Sequence, residues 1–189
     1  MLRDRSILCI DWDERSLRVL AASISRKMVR IRKAVHVPLD ETVNARDPAS
    51  LGEFIRRTLA THRIRTRKAT VAVHRQDTVL NLLSLPKGTA EETAQMVDVQ
   101  AGKELPFSKD QAVVDFAYAG DADGAMRPVW MAALRTAVLD RYQQTIANAG
   151  LKLERIGLRP YANIAALDPD LVAEGRTLLV DVGASMTEI

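Results

Sequence analysis

Two aspartates stand at the ends of apolar segments near opposite ends of the sequence. Asp11 follows residues 7–10 (ILCI), and Asp181 follows residues 178–180 (LLV). Small or polar residues come next in both places, which is typical of a turn between two strands. When two such hairpins face each other across a cleft, their turns can donate backbone N–H groups to phosphates while the two carboxylates hold a hydrated Mg²⁺. The residue types therefore predict a phosphate and magnesium site.

The two segments also align with each other. When Asp181 is placed on Asp11, residues 178–189 (LLVDVGASMTEI) fall on residues 8–19 (LCIDWDERSLRV). An apolar strand falls on an apolar strand, and an acidic residue ends both. A repeat this short also arises by chance, so its value lies in the chemistry that the two hairpins suggest.

The composition is that of a folded protein with a core. The chain has 189 residues, of which 47% are hydrophobic and 27% charged, enough for one or two domains. The 27 Lys and Arg residues are offset by 24 Asp and Glu residues, so the totals imply neither a nucleic-acid nor a membrane partner. Cys9 is the single cysteine, which excludes an intrachain disulfide and fits a reducing compartment. No segment approaches the roughly 18 apolar residues of a membrane span, so we expect a cytoplasmic protein.

The hydrophobic pattern predicts a three-stranded antiparallel meander followed by alternating helices and strands. The meander strands are predicted at residues 6–13, 16–25 and 28–39. Helices are predicted at residues 47–64, 89–104, 136–150 and 159–169, and further strands at 68–75, 77–86, 111–120, 127–134, 151–158 and 177–183. This order predicts an α/β domain with a mixed sheet, helices on its faces and an inserted β-α-β-β subdomain.

The sequence resembles the actin-like ATPase superfamily and, within it, the PilM family of type IV pilus assembly proteins, which are relatives of FtsA. The most specific detail is ELPF, residues 104–107, between a helix and the strand VVDFAY. The matching segments are residues 9–20 (CIDWDERSLRVL), 80–118, 133–167 and 178–189 (LLVDVGASMTEI).

The resemblance implies an actin-like (ribonuclease H-like) fold and a division into domains. The main domain is expected at residues 1–77 and 135–175, and the inserted subdomain at residues 78–134. A second actin-like domain is expected to begin at residues 176–189, so the chain reads as the N-terminal part of a longer protein. The alternative is a short protein whose last strand pairs with the first meander.

The resemblance also implies where a nucleotide would bind. The implied contacts are Asp11, Asp13, Arg18, Asp181, Gly183 and Thr187, with Asp11 and Asp181 as the magnesium ligands. ATP and magnesium are expected, if at all, in the full-length protein, and no other cofactor is expected.

Three positions depart from the family pattern. Asp13, followed by Glu14, stands where the family places a glycine that lets the backbone approach phosphate. Arg18 stands in place of a lysine, and Arg159 in place of an acidic residue that would activate water. The departures predict a degenerate nucleotide site without hydrolysis. The alternative is a functional actin-like ATPase or sugar-kinase-like enzyme.

By resemblance, the function is that of a cytoplasmic scaffold in type IV pilus assembly or a related secretion or competence system. The implied partner is the cytoplasmic tail of a PilN-like inner-membrane protein, which would associate the protein with the membrane. Such a tail is captured as an extended peptide through backbone pairing and apolar pockets. The predicted partner-binding residues are Leu80, Leu82, Leu105 and Phe107. The sequence leaves a homo-oligomer open, whereas no nucleic-acid partner is expected.

Three other features call for an interpretation. Residues 56–68 (RRTLATHRIRTRK) are strongly basic but contain no aromatic residue for base stacking, which favours a solvated face over a nucleic-acid site. Trp12, although it lies between two aspartates, is expected in the core. Trp130 is expected to pack inside the inserted subdomain.

Overall fold

The computed structural model of the chain describes residues 5–25, 28–121, 123–167, 177–184 and 186–188. Backbone contacts divide the chain into two compact units. The first unit comprises Met1–Val73 and Arg141–Ile189, and the second comprises His74–Asp140. Within the described ranges, no helix has the length and apolar character needed to cross a bilayer.

The order of helices and strands follows the predicted order except near the C-terminal end. In chain order, the strands are β1 (Arg5–Trp12), β2 (Ser16–Ser25), β3 (Met28–Pro38), β4 (Lys68–Val73), β5 (Thr78–Pro86), β6 (Ala112–Tyr118), β7 (Met126–Arg135), β8 (Lys152–Leu158), β9 (Asp181–Val182) and β10 (Thr187–Glu188). The helices are α1 (Pro48–Thr61), α2 (Ala90–Glu104), α3 (Thr136–Asn148) and α4 (Arg159–Ala165).

The first unit contains a five-stranded mixed sheet of order β3-β2-β1-β4-β8. The pairs β1–β2 and β2–β3 are antiparallel, as the predicted meander requires, whereas β4 is parallel to both β1 and β8. Because side chains alternate along a strand, Leu8, Ile10 and Trp12 share one face, and all three are buried. Asp11 therefore lies on the opposite face of β1, where its cross-strand partner is Arg18.

Helices α1 and α3 lie on the buried face of this sheet. The ring centroids of Trp12 and Tyr142 are 5.0 Å apart, which places α3 against the end of β1 and confirms Trp12 as a core residue. Gly52 of α1 faces α3 so closely that an added Cβ would lie 2.5 Å from Cβ of Asn148. Only glycine allows the two helices to approach this far.

Local signals explain where α1 starts and α3 ends. The Asp47 side chain accepts a hydrogen bond from the backbone N–H of Ser50, and Pro48 occupies the first helical position. Gly150 follows α3 with a φ of 72°, a conformation that glycine adopts without strain. The start of α1 agrees with the helix predicted at residues 47–64, and α3 ends two residues before the end of the helix predicted at residues 136–150.

The second unit contains a three-stranded antiparallel sheet of order β5-β7-β6. Helix α2 begins with a capping box, in which Thr89 and Glu92 exchange side-chain and backbone hydrogen bonds. The helix covers one face of the sheet. The buried cluster between them consists of Leu85, Val97, Ala101, Val129 and Met131.

Three predictions were wrong or incomplete. The strand predicted at residues 177–183 is reduced to β9, since residues 177–180 carry no regular structure and Leu178 is 73% exposed. The helix predicted at residues 159–169 ends at Ala165, and positions 168 and 169 lie outside the described residues. Trp130 does not pack inside its unit: it lies on the sheet face opposite α2 and is 41% exposed.

Candidate functional site

The turn between β1 and β2 is organised by a carboxylate. Oδ1 of Asp13 accepts hydrogen bonds from the backbone N–H groups of Arg15 and Ser16, each at 2.8 Å. This is the local pattern by which Asp stabilises a turn through its own side chain. The two N–H groups that a phosphate-binding turn would offer to a ligand are thereby bonded within the chain.

Arg18 joins two carboxylates across this hairpin. Its Nε donates to Oδ2 of Asp11 at 2.7 Å, and its Nη2 donates to Oδ2 of Asp13 at 2.7 Å. Nη1 also donates to Oγ of Ser16 at 2.9 Å. The planar guanidinium has five N–H donors in a fixed geometry, so it can donate hydrogen bonds to several acceptors at once better than an ammonium group can.

The ionisation of this pair reflects the same contacts. Burial by itself raises the pKa of Asp13, but the hydrogen bonds from the Arg15 backbone and from the Arg18 side chain, together with the charge of Arg18, outweigh it and lower the pKa. Burial by itself lowers the pKa of Arg18, and its bonds to Asp13 and Asp11 reverse that effect and raise the pKa. Both side chains are thus held in their charged forms.

A second guanidinium lies between the two aspartates predicted to hold magnesium. Nε of Arg159 is 3.3 Å from Oδ2 of Asp181, and its Nη2 is 3.6 Å from Oδ2 of Asp11. The Arg159 side chain is only 13% exposed. Nδ2 of Asn163 donates to the same Oδ2 of Asp181 at 2.8 Å. A cation and an amide donor therefore face Asp181 from α4.

Helix α4 supplies both of these groups because of its position and spacing. It starts directly after β8, with Leu158 as the residue before the helix and Pro160 in its first turn. Arg159 and Asn163 are four residues apart, so they lie on one side of the helix. Of these two residues, only Arg159 was identified from the sequence, although the position of Asn163 one helical turn after Arg159 was a usable signal.

The predicted second hairpin is confirmed in a short form. β9 and β10 pair antiparallel, with Val182 opposite Thr187 and Asp181 opposite Glu188. The backbone N–H of Gly183 donates to the carbonyl oxygen of Met186 at 2.8 Å. A Cβ at Gly183 would lie 2.8 Å from that oxygen, so the tight turn requires glycine.

The structure thus brings together the four charged residues predicted for the nucleotide site, Asp11, Asp13, Arg18 and Asp181. Gly183 and the exposed Thr187 lie in the hairpin that begins with Asp181. No group of three or more His, Cys, Asp or Glu side chains suited to a metal ion occurs in the described part of the chain.

The residues predicted to bind a partner lie in the second unit, on more than one surface. Leu80 and Leu82 belong to the face of β5 that points away from α2, and the cross-strand partner of Leu82 is the exposed Trp130. Leu105 packs against the buried cluster beneath α2, on the opposite side of the sheet. The Phe107 ring stacks against the guanidinium of Arg135, 4.0 Å from its centroid.

Comparison with solved structures defines the class of fold. The chain matches a structure described as the PilM-PilN type IV pilus biogenesis complex with a TM-score of 0.83, 22% identity and 96% of the chain covered. It also matches the cytoplasmic domain of EpsL, an inner-membrane component of the type II secretion system of Vibrio cholerae. This match has a TM-score of 0.52 and 14% identity, and it covers 80% of the chain. The mixed-sheet, actin-like α/β fold predicted from the sequence is confirmed.

The sequence match is more specific than the fold. Residues 9–189 match the family of type IV pilus assembly proteins PilM, and the chain belongs to that family. Comparison with curated proteins gave no match. The chain spans 56% of the length of each of the two solved structures.

Proposed function

We propose that the protein is an adaptor in type IV pilus assembly that binds the cytoplasmic tail of a PilN-like inner-membrane protein, and that its nucleotide site is degenerate. The adaptor role is supported by the family and by the similar structure of a PilM-PilN complex. In this chain, the observation that supports the adaptor role most directly is the apolar pair formed by Leu82 and Trp130, which are 55% and 41% exposed. The pair lies on the face of the second unit's sheet that points away from α2.

Two features of this face suit an extended peptide. β5 lies at one edge of the three-stranded sheet, so its outer backbone edge is not paired within that sheet. A peptide strand that adds to such an edge gains main-chain hydrogen bonds, and neighbouring apolar side chains determine its register. Leu80, Leu82 and Trp130 supply apolar area beside that edge, whereas Leu105, beneath α2, would support the face from inside.

A binding experiment tests the adaptor role by comparing glutamate substitutions at leucines of this face with a glutamate substitution at an exposed valine elsewhere in the same unit. The probe is a fluorescent synthetic peptide with the sequence of the cytoplasmic tail of a PilN-like protein from the same organism, titrated with the full-length protein. Leu82→Glu and Leu80→Glu are each expected to weaken binding at least tenfold, because a charge is placed among apolar anchors.

The controls are Val99→Glu, since Val99 is 59% exposed on α2 in the same unit, and Arg56→Glu on the solvated face of α1. Both controls are expected to bind like the wild type, and circular dichroism is expected to be unchanged in all variants. Wild-type affinity of both leucine variants would exclude this face as the binding surface. Absence of wild-type binding would exclude the adaptor role itself.

The degenerate nucleotide site is supported by the charged cluster. Asp13 already bonds the turn N–H groups that phosphate would need, and Arg159 already neutralises Asp11 and Asp181. A hydrated Mg²⁺ between those aspartates would have to displace a guanidinium that is 13% exposed. In this arrangement the residues do not fit a magnesium ion.

Calorimetry with the full-length protein tests this second part. We expect negligible binding of Mg·ATP to the wild type, because the turn N–H groups are already bonded to Asp13 and the two aspartates are already paired with Arg159. Arg159→Ala removes the guanidinium that lies between Asp11 and Asp181, and we expect the variant to gain binding of Mg²⁺ alone. Micromolar affinity of the wild type for Mg·ATP would instead support the alternative, a functional actin-like ATPase.

A further inference from the structure

Strand β3 forms one edge of the five-stranded sheet, and its two faces differ in chemistry. Its backbone pairs with β2 on one side and ends the sheet order on the other. The register places Val29 opposite Ile24, Ile31 opposite Ala22, and Ala22 opposite Ile7 of β1. All these side chains lie on the face of the sheet that points away from α1. Val29 and Ile31 are 64% and 62% exposed, so this face of the edge is apolar and uncovered by described residues.

The opposite face of the same edge is basic. Arg30 lies opposite Ser23, and Nε of Arg32 donates to Oγ of Ser23 at 3.1 Å. A register shift adds one residue to β3 at this point, so Arg32 and Lys33 both fall on the face that Arg30 occupies. All three basic residues are exposed, and residues 15–39 contain no Asp or Glu. The positive charge of this face therefore has no counter-charge on β2 or β3.

A second basic segment enlarges the basic face. Nζ of Lys33 donates to the backbone oxygen of His62 at 2.7 Å, which brings the loop after α1 next to β3. Arg63 and Arg65 of that loop are exposed, and residues 54–76 also lack Asp and Glu. Within the described ranges, neither of these two arginines forms an ion pair. Their charge is available to a partner.

The two faces together select the occupant of the β3 edge. Basic side chains and a bulge protect an edge strand against a second copy, because two such edges would bring like charges together. An acidic strand meets no such repulsion, and the exposed Val29 and Ile31 offer it apolar contact. Binding of single-stranded nucleic acid uses exposed aromatic rings for stacking. The two acid-free stretches contain only Phe54, which is buried.

We propose that the β3 edge segment, residues 29–33, binds an extended segment of a protein partner in which acidic and apolar residues alternate. Successive side chains of a strand point to opposite faces of a sheet. A strand of this pattern, added beside β3, places its carboxylates next to Arg30 and Lys33 and its apolar side chains next to Val29 and Ile31. Main-chain hydrogen bonds to the outer edge of β3 add affinity. This inference does not depend on the proposed binding of a PilN-like tail.

Fluorescence anisotropy with the full-length protein tests the proposal. The probes are a labelled peptide of alternating Glu and Val, and a labelled peptide of the same composition with every Glu before every Val. We expect the alternating peptide to bind at least about tenfold more tightly, because only alternation satisfies both faces of the edge. High salt should weaken its binding. Arg30→Glu on the basic face and Ile31→Thr on the apolar face are each expected to weaken it about fivefold.

Hydrogen exchange distinguishes strand pairing from a loose electrostatic contact. Backbone N–H groups within residues 29–33 that point outward from the sheet should exchange more slowly when the alternating peptide is bound, since the added strand accepts their hydrogen bonds. A contact made by side chains alone would leave that exchange unchanged.

The controls are exposed positions in the second unit. Lys87→Glu before α2 reverses a charge and Val99→Thr on α2 makes an apolar residue polar, and both are expected to bind like the wild type. Circular dichroism should be unchanged in all variants. The proposal is overturned if the wild type binds neither peptide or both equally, if residues 29–33 gain no protection, or if Arg30→Glu and Ile31→Thr bind like the wild type. Protection of residues 29–33 by self-association, without peptide, would overturn it in favour of a second copy.

Discussion

The two hairpins that meet at the charged cluster resemble each other in sequence and differ in how they are held. β1 and β2 have eight and ten residues, and Leu8 and Ile10 are almost fully buried. β9 and β10 have two residues each, and Val182 is 76% exposed. Each hairpin contributes an aspartate to the same cluster, yet only the first is anchored by apolar burial.

The difference shows that an apolar run before an aspartate does not by itself produce a long strand. Residues 8–10 pair with β2 on one side and β4 on the other, so burial of their side chains accompanies backbone pairing. Residues 178–180 have no such neighbours within the described chain and carry no regular structure. The second hairpin is tied to the first mainly by charge, through Arg159.

The largest effect expected from this comparison concerns apolar burial. Leu8→Ala removes a side chain that is 0% exposed and should lower the free energy of unfolding by about 2–5 kcal/mol. Val182→Ala, the same kind of truncation in the second hairpin, should change it by less than about 0.5 kcal/mol. Urea unfolding of residues 1–189 followed by circular dichroism measures both. Equal losses would mean that the second hairpin is buried after all.

A smaller effect is expected at the turn of the first hairpin. Asp13→Asn weakens the bonds to Arg18 and to the turn backbone, and should cost about 1–3 kcal/mol at neutral pH. Because folding lowers the pKa of Asp13, its stabilising contribution is complete above the unfolded value of about 3.9 and is lost as the pH falls through the lower folded value.

The wild type and Asp13→Asn should therefore differ most at neutral pH, and the difference should shrink as the pH falls below about 4. Urea unfolding of both proteins at a series of pH values checks this. A difference that stays constant down to the lowest pH would show that the charge of Asp13 is not its source.

The ion pairs of Arg159 with Asp11 and Asp181 should contribute less to global stability than to the local order of the second hairpin. Arg159→Ala should lower the free energy of unfolding by about 1–2 kcal/mol, because the side chain is nearly buried between two carboxylates. Hydrogen exchange of the backbone N–H of Gly183 should accelerate. The control is Arg46→Ala, since the Arg46–Glu14 pair is exposed and should be worth at most about 1 kcal/mol. Unchanged exchange at Gly183 would show that Arg159 does not hold the second hairpin.

The smallest effect is expected in the segment before β9. Leu178 is 73% exposed, so Leu178→Ser in residues 1–189 should change the free energy of unfolding by less than about 0.5 kcal/mol. The same substitution in the full-length protein should cost more if residues 176–189 begin a second domain, as the sequence predicts. Equal costs in the two chains would contradict that domain boundary.

The local features of the fold were largely predictable. The alternation of the meander strands, the Asp47 and Pro48 start of α1 and the Gly150 end of α3 follow from residues close in sequence. Trp130 was not predictable in this way, because an apolar residue in a strand is buried only if its face is covered. Helix α2 covers the opposite face, and the sequence of β7 does not encode that choice.

The sequence by itself determined the residue types of the charged cluster: two aspartates at strand ends, a third in the first turn and an arginine in place of a lysine. Only the tertiary structure decided what those groups do. Asp13 bonds the turn N–H groups, and α4 places Arg159 and Asn163 against Asp181. The reason is physical: strand and turn signals act between residues near in the chain, whereas an ion pair depends on which distant charges the packing of helices and sheets brings within a few ångströms.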